Sequence, residues 1–292
     1  MICTMTESTE PSRMLAERLR ALLGTLPPAE QKVARTLLAG YPTVALEPVA
    51  ALARRATVSA PTVLRLAQRL GFAGYADLQT ALKIELQDRL TSPLTQYDTS
   101  FGEAAGPRSR DVFSRGIRET FGQLPDGELE RAAALLADGR RPAWTIGGYF
   151  STLLARYLVM HLRQLRPRAT YVSGGVHEHA EYLIDIRRSD TVVVFDYRRY
   201  QSDIVRFAEQ AAARGAKVVL FTDPWLSPAA AVADVVLPAT VTTPSPFDAL
   251  TPAMALVEAL VAAIVDEMGE VPRERVSEFD QLLTADREVR EY

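Results

Sequence analysis

Five short apolar runs separated by helical stretches constrain the carboxy-terminal two thirds of this chain more than any other feature. Ala143–Ile146, Ala169–Val172, Thr191–Phe195, Lys217–Phe221 and Val235–Leu237 are too short for helices and are rich in β-branched and aromatic residues. They read as strands buried on both faces. Phe150–Leu165, Val176–Ile186, Ser202–Arg214 and Pro252–Met268 carry helical apolar spacing. Repeated strand–helix units predict an α/β domain with a five-stranded parallel sheet flanked by helices. Ligands of such sheets bind beyond the carboxyl ends of the strands, which singles out Gly147–Ser151, Ser173–Glu178, Asp196–Gln201 and Thr222–Ser227.

The amino-terminal third has no strand pattern. Met14–Leu23, Pro28–Leu38 and Tyr75–Leu90 read as amphipathic helices, and Val49–Leu66 reads as a helix, a tight turn and a second helix. Leu52, Ala53, Ala56, Val58, Val63 and Leu66 form its inner face. Ser59 stands where the second helix needs a cap, and Pro61 falls in its first turn, where a missing N–H costs little. Ser59, Ala60, Thr62, Arg65, Gln68 and Arg69 are left for the outer face, short groups first and long donors after them. That order suits base-edge and phosphate contacts in a major groove. An ordinary αα-hairpin is the competing reading. Thr57 stands in the turn, where a β-branched residue disfavours positive φ.

The expected division is an all-α helix-turn-helix bundle over residues 11–90, a polar linker over 91–110 and the sheet domain over 111–292, opening with helices at Asp111–Leu124 and Gly127–Ala137. Residues 1–95 hold 11 Lys+Arg against 8 Asp+Glu, within a chain whose net charge is −3. A mildly basic reader joined to an acidic partner domain fits nucleic-acid binding. The excess is small, so two copies acting together are expected. Cys3 is the single cysteine, which excludes an intrachain disulfide framework and a Cys₄ zinc site. No apolar run reaches the roughly 18 residues of a membrane span, and the start lacks a signal pattern, so the expected location is the cytoplasm.

Together these residues resemble the RpiR/MurR family of bacterial transcriptional regulators, a helix-turn-helix domain followed by a sugar isomerase (SIS) domain. The resemblance rests on Leu52-Ala53, on Val58 through Arg65, on Leu70-Gly71-Phe72-Ala73-Gly74-Tyr75-Ala76-Asp77-Leu78, on Ser189 through Phe195 and on Arg214-Gly215-Ala216-Lys217-Val218-Val219. It implies an oligomeric regulator, homodimer or homotetramer, whose partners are operator DNA and a small metabolite, often a phosphosugar held by hydroxyls and backbone amides. It implies no cofactor. The family's first loop reads G-x-G-x-S, whereas this chain has Gly147-Gly148-Tyr149-Phe150-Ser151. Its third loop reads S-x-S-G-x-T, whereas this chain has Asp196-Tyr197-Arg198-Arg199-Tyr200-Gln201. Two arginines in place of a hydroxyl cradle suggest a small anionic metabolite, a carboxylate or a phosphosugar, gripped by Arg198 or Arg199. A structural ion pair between Asp196 and one arginine is the alternative. Gly147, Gly148, Tyr149, Ser151, Ser173, His177, Arg198, Arg199 and Gln201 are the candidate effector contacts.

His177-Glu178-His179 lacks metal-ligand spacing, so no metal is expected; these three are instead the acid–base candidates of a rival reading, a phosphosugar isomerase. A third reading makes the domain an oligomerisation scaffold, with the apolar Pro252–Met268 helix packing on a partner chain. Arg54-Arg55 and Arg163, Arg166 and Arg168 read as solvated surface cations. The favoured reading has no catalytic residue.

Overall fold

A computed structural model describes residues 15–39, 43–90, 97 and 105–290. The chain splits into two compact units, Met1–Thr91 and Ser92–Tyr292.

The first unit holds five α-helices among its described residues: α1 (Leu15–Leu22), α2 (Pro28–Ala39), α3 (Val49–Arg55), α4 (Ala60–Arg69) and α5 (Tyr75–Leu90), with a short 3₁₀ turn at Thr43–Leu46. The expected first helix began at Met14, which lies outside the described residues. Leu19, Val33, Leu37, Leu52, Val63, Leu66, Leu70, Leu78 and Leu82 form one buried core. The Tyr75 hydroxyl, donating to the Ala45 or Glu47 carbonyl, ties α5 to the 3₁₀ turn. Burial is the main reason its pKa rises to about 12.

Helices α3 and α4 end in the same way, and the comparison isolates one strained residue. After α4, Gly71 at φ +83° lets its own N–H reach the Gln68 carbonyl and the Phe72 N–H reach Ala67. After α3, Thr57 at φ +55° does the same, with Thr57 N–H donating to Arg54 and Val58 N–H to Ala53. Both are left-handed helix stops that favour glycine. The threonine is therefore strained, as its place in the turn suggested. Thr57→Gly is expected to raise the unit's stability by about 1 kcal/mol, relief of the left-handed penalty exceeding glycine's added chain entropy. An unchanged urea midpoint would contradict the strain.

The second unit opens with α6 (Ala105–Gln123) and α7 (Glu128–Ala137), then alternates: β1 (Ala143–Gly147), α8 (Thr152–Leu165), β2 (Ala169–Tyr171), α9 (Val176–Asp185), β3 (Thr191–Phe195), α10 (Ser202–Ala213), β4 (Lys217–Thr222) and β5 (Val235–Pro238). Two long helices close it, α11 (Thr251–Met268) and α12 (Arg273–Arg290). Most of the expected linker lies outside the described residues, but its end does not: residues 105–110 are the first turns of α6. Gly106 and Pro107 look like breakers, yet they stand in the first turn, where amides have no i−4 acceptor and Pro107, lacking an N–H, forfeits no bond.

The sheet is parallel throughout, in the order β2-β1-β3-β4-β5. Period-two alternation sorts the central strands between two cores. Val193, Phe195, Val219 and Phe221 join α7, α8 and α11 on one face. Val192, Val194, Val218 and Leu220 join α9 and α10 on the other. Helix α11 is a core helix rather than an open docking face: Ala253, Leu256, Val257, Leu260 and Ile264 are fully buried within the unit. The surface reading holds for the exposed Arg163 and Arg168 but needs correction at Arg166. Arg166 is 1% exposed, and Arg163 Nε and Arg168 Nη1 donate to the Ala169 and Arg140 carbonyls.

Candidate functional site

On α4, Val63, Leu66 and Ala67 face the core, while Leu64, Arg65, Gln68 and Arg69 are exposed. Ser59 is exposed and Ala60 half-buried. Thr62 is not on the outer face as expected; it is 4% exposed. Its hydroxyl lies 3.1 Å from Ser59 Oγ and accepts from Arg65 Nη2 at 3.2 Å. The Ser59 hydroxyl thus meets a side chain, and no helix amide is capped by it. Arg69 Nε donates to the buried Glu30 carboxylate at 2.8 Å, and Arg55 Nη2 to Glu47 at 2.7 Å. Arg65 carries no carboxylate partner among the described residues, so its charge is available to an outside anion.

In the second unit the chain reverses its strand order between β1 and β3, which opens a crevice at their carboxyl ends. A cavity of about 420 Å³ sits there. Gly148, Tyr149, Ser151, Arg198, Arg199 and Gln201 line it, six of the nine expected contacts. Gly147 does not; it ends β1 so close to the turn that a Cβ would lie 2.7 Å from the Ser151 carbonyl. Ser173 pairs with the Tyr182 hydroxyl at 3.2 Å, and His177 is exposed on α9; neither lines the cavity. Phe150, Asp196, Tyr197, Phe247, Asp248 and Leu250 line it without having been singled out as contacts. The last three follow β5, and nothing in their sequence marks them as a wall.

The local chemistry is mostly self-contained. The Tyr149 N–H donates to Gln201 Oε1 at 2.6 Å, and the Gly148 N–H to the Phe195 carbonyl at 3.2 Å. Thr152 and Leu153 N–H groups are held by Gly148 and Phe150 carbonyls. The Ser151 hydroxyl donates to the Phe195 carbonyl at 2.7 Å. Tyr149 is 80% exposed, and its backbone N–H is covered by Gln201.

Arg198 is not a free anion grip. Its Nε donates to both oxygens of Asp248 at 2.8 Å, and its guanidinium lies 5.6 Å from the Trp225 ring centroid. An ion pair at this arginine was foreseen with the wrong carboxylate. Asp196, 1% exposed, instead accepts from the Ser227 hydroxyl and from the Gln201 N–H at 3.2 Å. Burial raises the Asp196 pKa to about 6, against the two hydrogen bonds that lower it. Arg199 is exposed at φ +68° and has no ion pair among the described residues. The Tyr197 hydroxyl is buried with no hydrogen-bond partner among the described residues, and burial above all holds its pKa well up.

The isomerase candidates lie elsewhere. His179 is buried edge-on to Phe207 at 5.5 Å, and Glu178 accepts the Gly175 N–H at 2.9 Å as a helix cap. None of His177, Glu178 and His179 lines the cavity.

Residues 143–263 match the SIS domain family, and residues 13–89 match the family described as helix-turn-helix domain, rpiR family. The chain thus pairs an rpiR-type helix-turn-helix with a SIS sheet. It belongs to the RpiR family of helix-turn-helix regulators that carry a SIS domain. The sugar isomerase domain of an RpiR transcription factor from Sphaerobacter thermophilus is 25% identical with a TM-score of 0.56, over 60% of this chain and 97% of that one. The Vibrio vulnificus NanR protein complexed with ManNAc-6P shares the fold, with a TM-score of 0.54 at 20% identity, over 93% of this chain and 98% of that one. The bifunctional protein glk of Paraburkholderia xenovorans is 27% identical over 214 residues, 72% of this chain; the match spans 33% of that protein's length. No helix among the described residues is long and apolar enough to cross a membrane.

Proposed function

We propose that this chain regulates transcription by reading operator DNA with α4, while its SIS domain senses a small anionic metabolite. The observation that carries the reading is the outward face of α4: Arg65 and Gln68 are exposed on a helix braced from beneath by Val63, Leu66 and Ala67. A helix so mounted suits a major groove. The cavity at the strand-order reversal, with exposed Arg199 at its wall, supports the sensing half, as does the phosphosugar in the NanR complex of the same fold. Two copies, as a homodimer or homotetramer, supply the affinity that one weakly basic unit lacks, and their half-sites should lie about 10 bp or a multiple apart. Ligand binding acts by favouring one placement of the paired reading helices.

Fragments selected from genomic DNA by the purified chain identify the operator. Against that operator, Arg65→Ala is expected to weaken specific binding by about 1–3 kcal/mol in mobility-shift titrations. Unchanged affinity and footprint would remove Arg65 from the interface.

A further inference from the structure

The SIS cavity is walled by aromatic rings and is poor in net positive charge. Tyr149, Phe150 and Phe247 stand at it 80%, 63% and 62% exposed, unusual for rings of that size in a folded unit. Arg198 is paired with Asp248, and the other two charged residues lining the cavity, Asp196 and Arg199, are of opposite sign with no ion pair between them. A dianion therefore meets no charge surplus here, whereas one carboxylate can take the Arg199 fork.

The orientation of Gln201 sharpens this. A phosphate on such a sheet commonly rests on backbone amides at the start of the first crevice helix. Here Gln201 Oε1 already occupies the Tyr149 amide at 2.6 Å, and it lies 2.3 Å from where a Cβ on Gly148 would stand. A phosphate oxygen arriving there would face the lone pairs of another acceptor. With Oε1 committed to an N–H, the Gln201 Nε2 group is the donor turned elsewhere. Gln201 and Arg199 both line the cavity, one offering an amide donor and the other a guanidinium.

We propose that this cavity takes a planar, largely apolar monocarboxylate, held by Arg199 and Gln201 among the three exposed rings, and that Gln201 is the side chain that excludes phosphate esters. The proposal rests on the reading of the SIS domain as a sensor of anionic metabolites and narrows its ligand class. Arg199 sits at positive φ, so Arg199→Gly removes the guanidinium without straining the loop.

The test is calorimetric titration of the full chain with phenylacetate, indole-3-acetate and glucose 6-phosphate. Native protein is expected to bind at least one carboxylate at least tenfold more tightly than glucose 6-phosphate. Arg199→Gly should weaken that carboxylate at least tenfold. Gln201→Ser should weaken it as well and strengthen glucose 6-phosphate at least tenfold. Thermal unfolding of each variant without ligand verifies that it is folded. Tighter native binding of glucose 6-phosphate, or carboxylate affinity indifferent to Arg199→Gly, overturns the proposal while leaving the sensing of anions standing. Binding of none of the three compounds overturns the proposal and withdraws support from the sensing reading as well.

Discussion

Arg166→Ala is expected to destabilise the SIS unit by about 4 kcal/mol, the largest effect of any single substitution considered. The side chain is 1% exposed, yet it meets backbone carbonyls rather than a carboxylate. Nη1 donates to the Leu136 carbonyl at 2.5 Å, Nη2 to Arg141, and Nε to the Pro167 carbonyl at 3.2 Å. These carbonyls belong to the last turn of α7, the turn into β1 and the turn into β2. A single cation therefore fastens both edges of the β1–β2 entrance and sits where the α7 dipole is negative. Desolvation lowers the Arg166 pKa, with nearby Asp138 acting against that effect. Alanine leaves a void and strands buried acceptors, each costing about 1–3 kcal/mol. Arg166→Met, which keeps most of the volume, should cost clearly less than alanine in urea unfolding. Equal losses for the two would show that the void adds nothing and that the lost carbonyl contacts carry the whole cost.

The second large effect is a pH dependence. Asp196 has a folded pKa of about 6 against an ordinary value of 3.8, chiefly because it is buried. Between those values the native unit holds a proton that the unfolded chain has released. Stability contributed by this group therefore falls as pH rises from about 4 to 6 and stays low above that. The difference of about two pKa units corresponds to about 3 kcal/mol. Asp196→Asn carries no such charge, so its stability relative to the native protein should grow by about that amount from pH 4 to pH 7. Unfolding curves that shift in parallel across this range would remove Asp196 as the source. Asparagine keeps one acceptor oxygen, for Ser227 or for the Gln201 N–H, and the bond it loses lowers its stability by an amount that does not vary with pH, so the pH slope is the readout.

Much of the architecture was legible because apolar period and element length agree. The β3 run Thr191–Phe195 is buried at every position and could be read as nothing but a central strand. Helix α4 was legible because Pro61, its apolar face and its exposed donors coincide. Other features were not. Helix α12 lacks a strong apolar stripe, and Leu282 and Leu283 remain exposed, so periodicity gave it no signal. Residues 105–110 were read as linker because glycine and proline mark breaks everywhere except in a first turn. At the crevice, strand-end logic singled out the two loops that hold nine of the twelve lining residues but could not place Phe247, Asp248 and Leu250, which arrive from a distant segment. Pairing across 50 residues, as between Arg198 and Asp248, has no local pattern to betray it. Thr62 was misplaced because helical phase alone cannot tell a polar side chain at a helix start from one folded back under its neighbours.

The clamp between Arg198 and Asp248 has a mechanical corollary. Asp248 lies three residues before α11, and α11 packs on α6, α7 and α8. Helix α6 is also pinned to the loop that follows β5, where Thr240 donates its N–H to the Thr120 hydroxyl and its own hydroxyl to the Gly116 carbonyl. The loop after β3 is thus joined, through one ion pair and a run of packed helices, to the first helix after residues 91–104, the stretch that leads back to the helix-turn-helix unit.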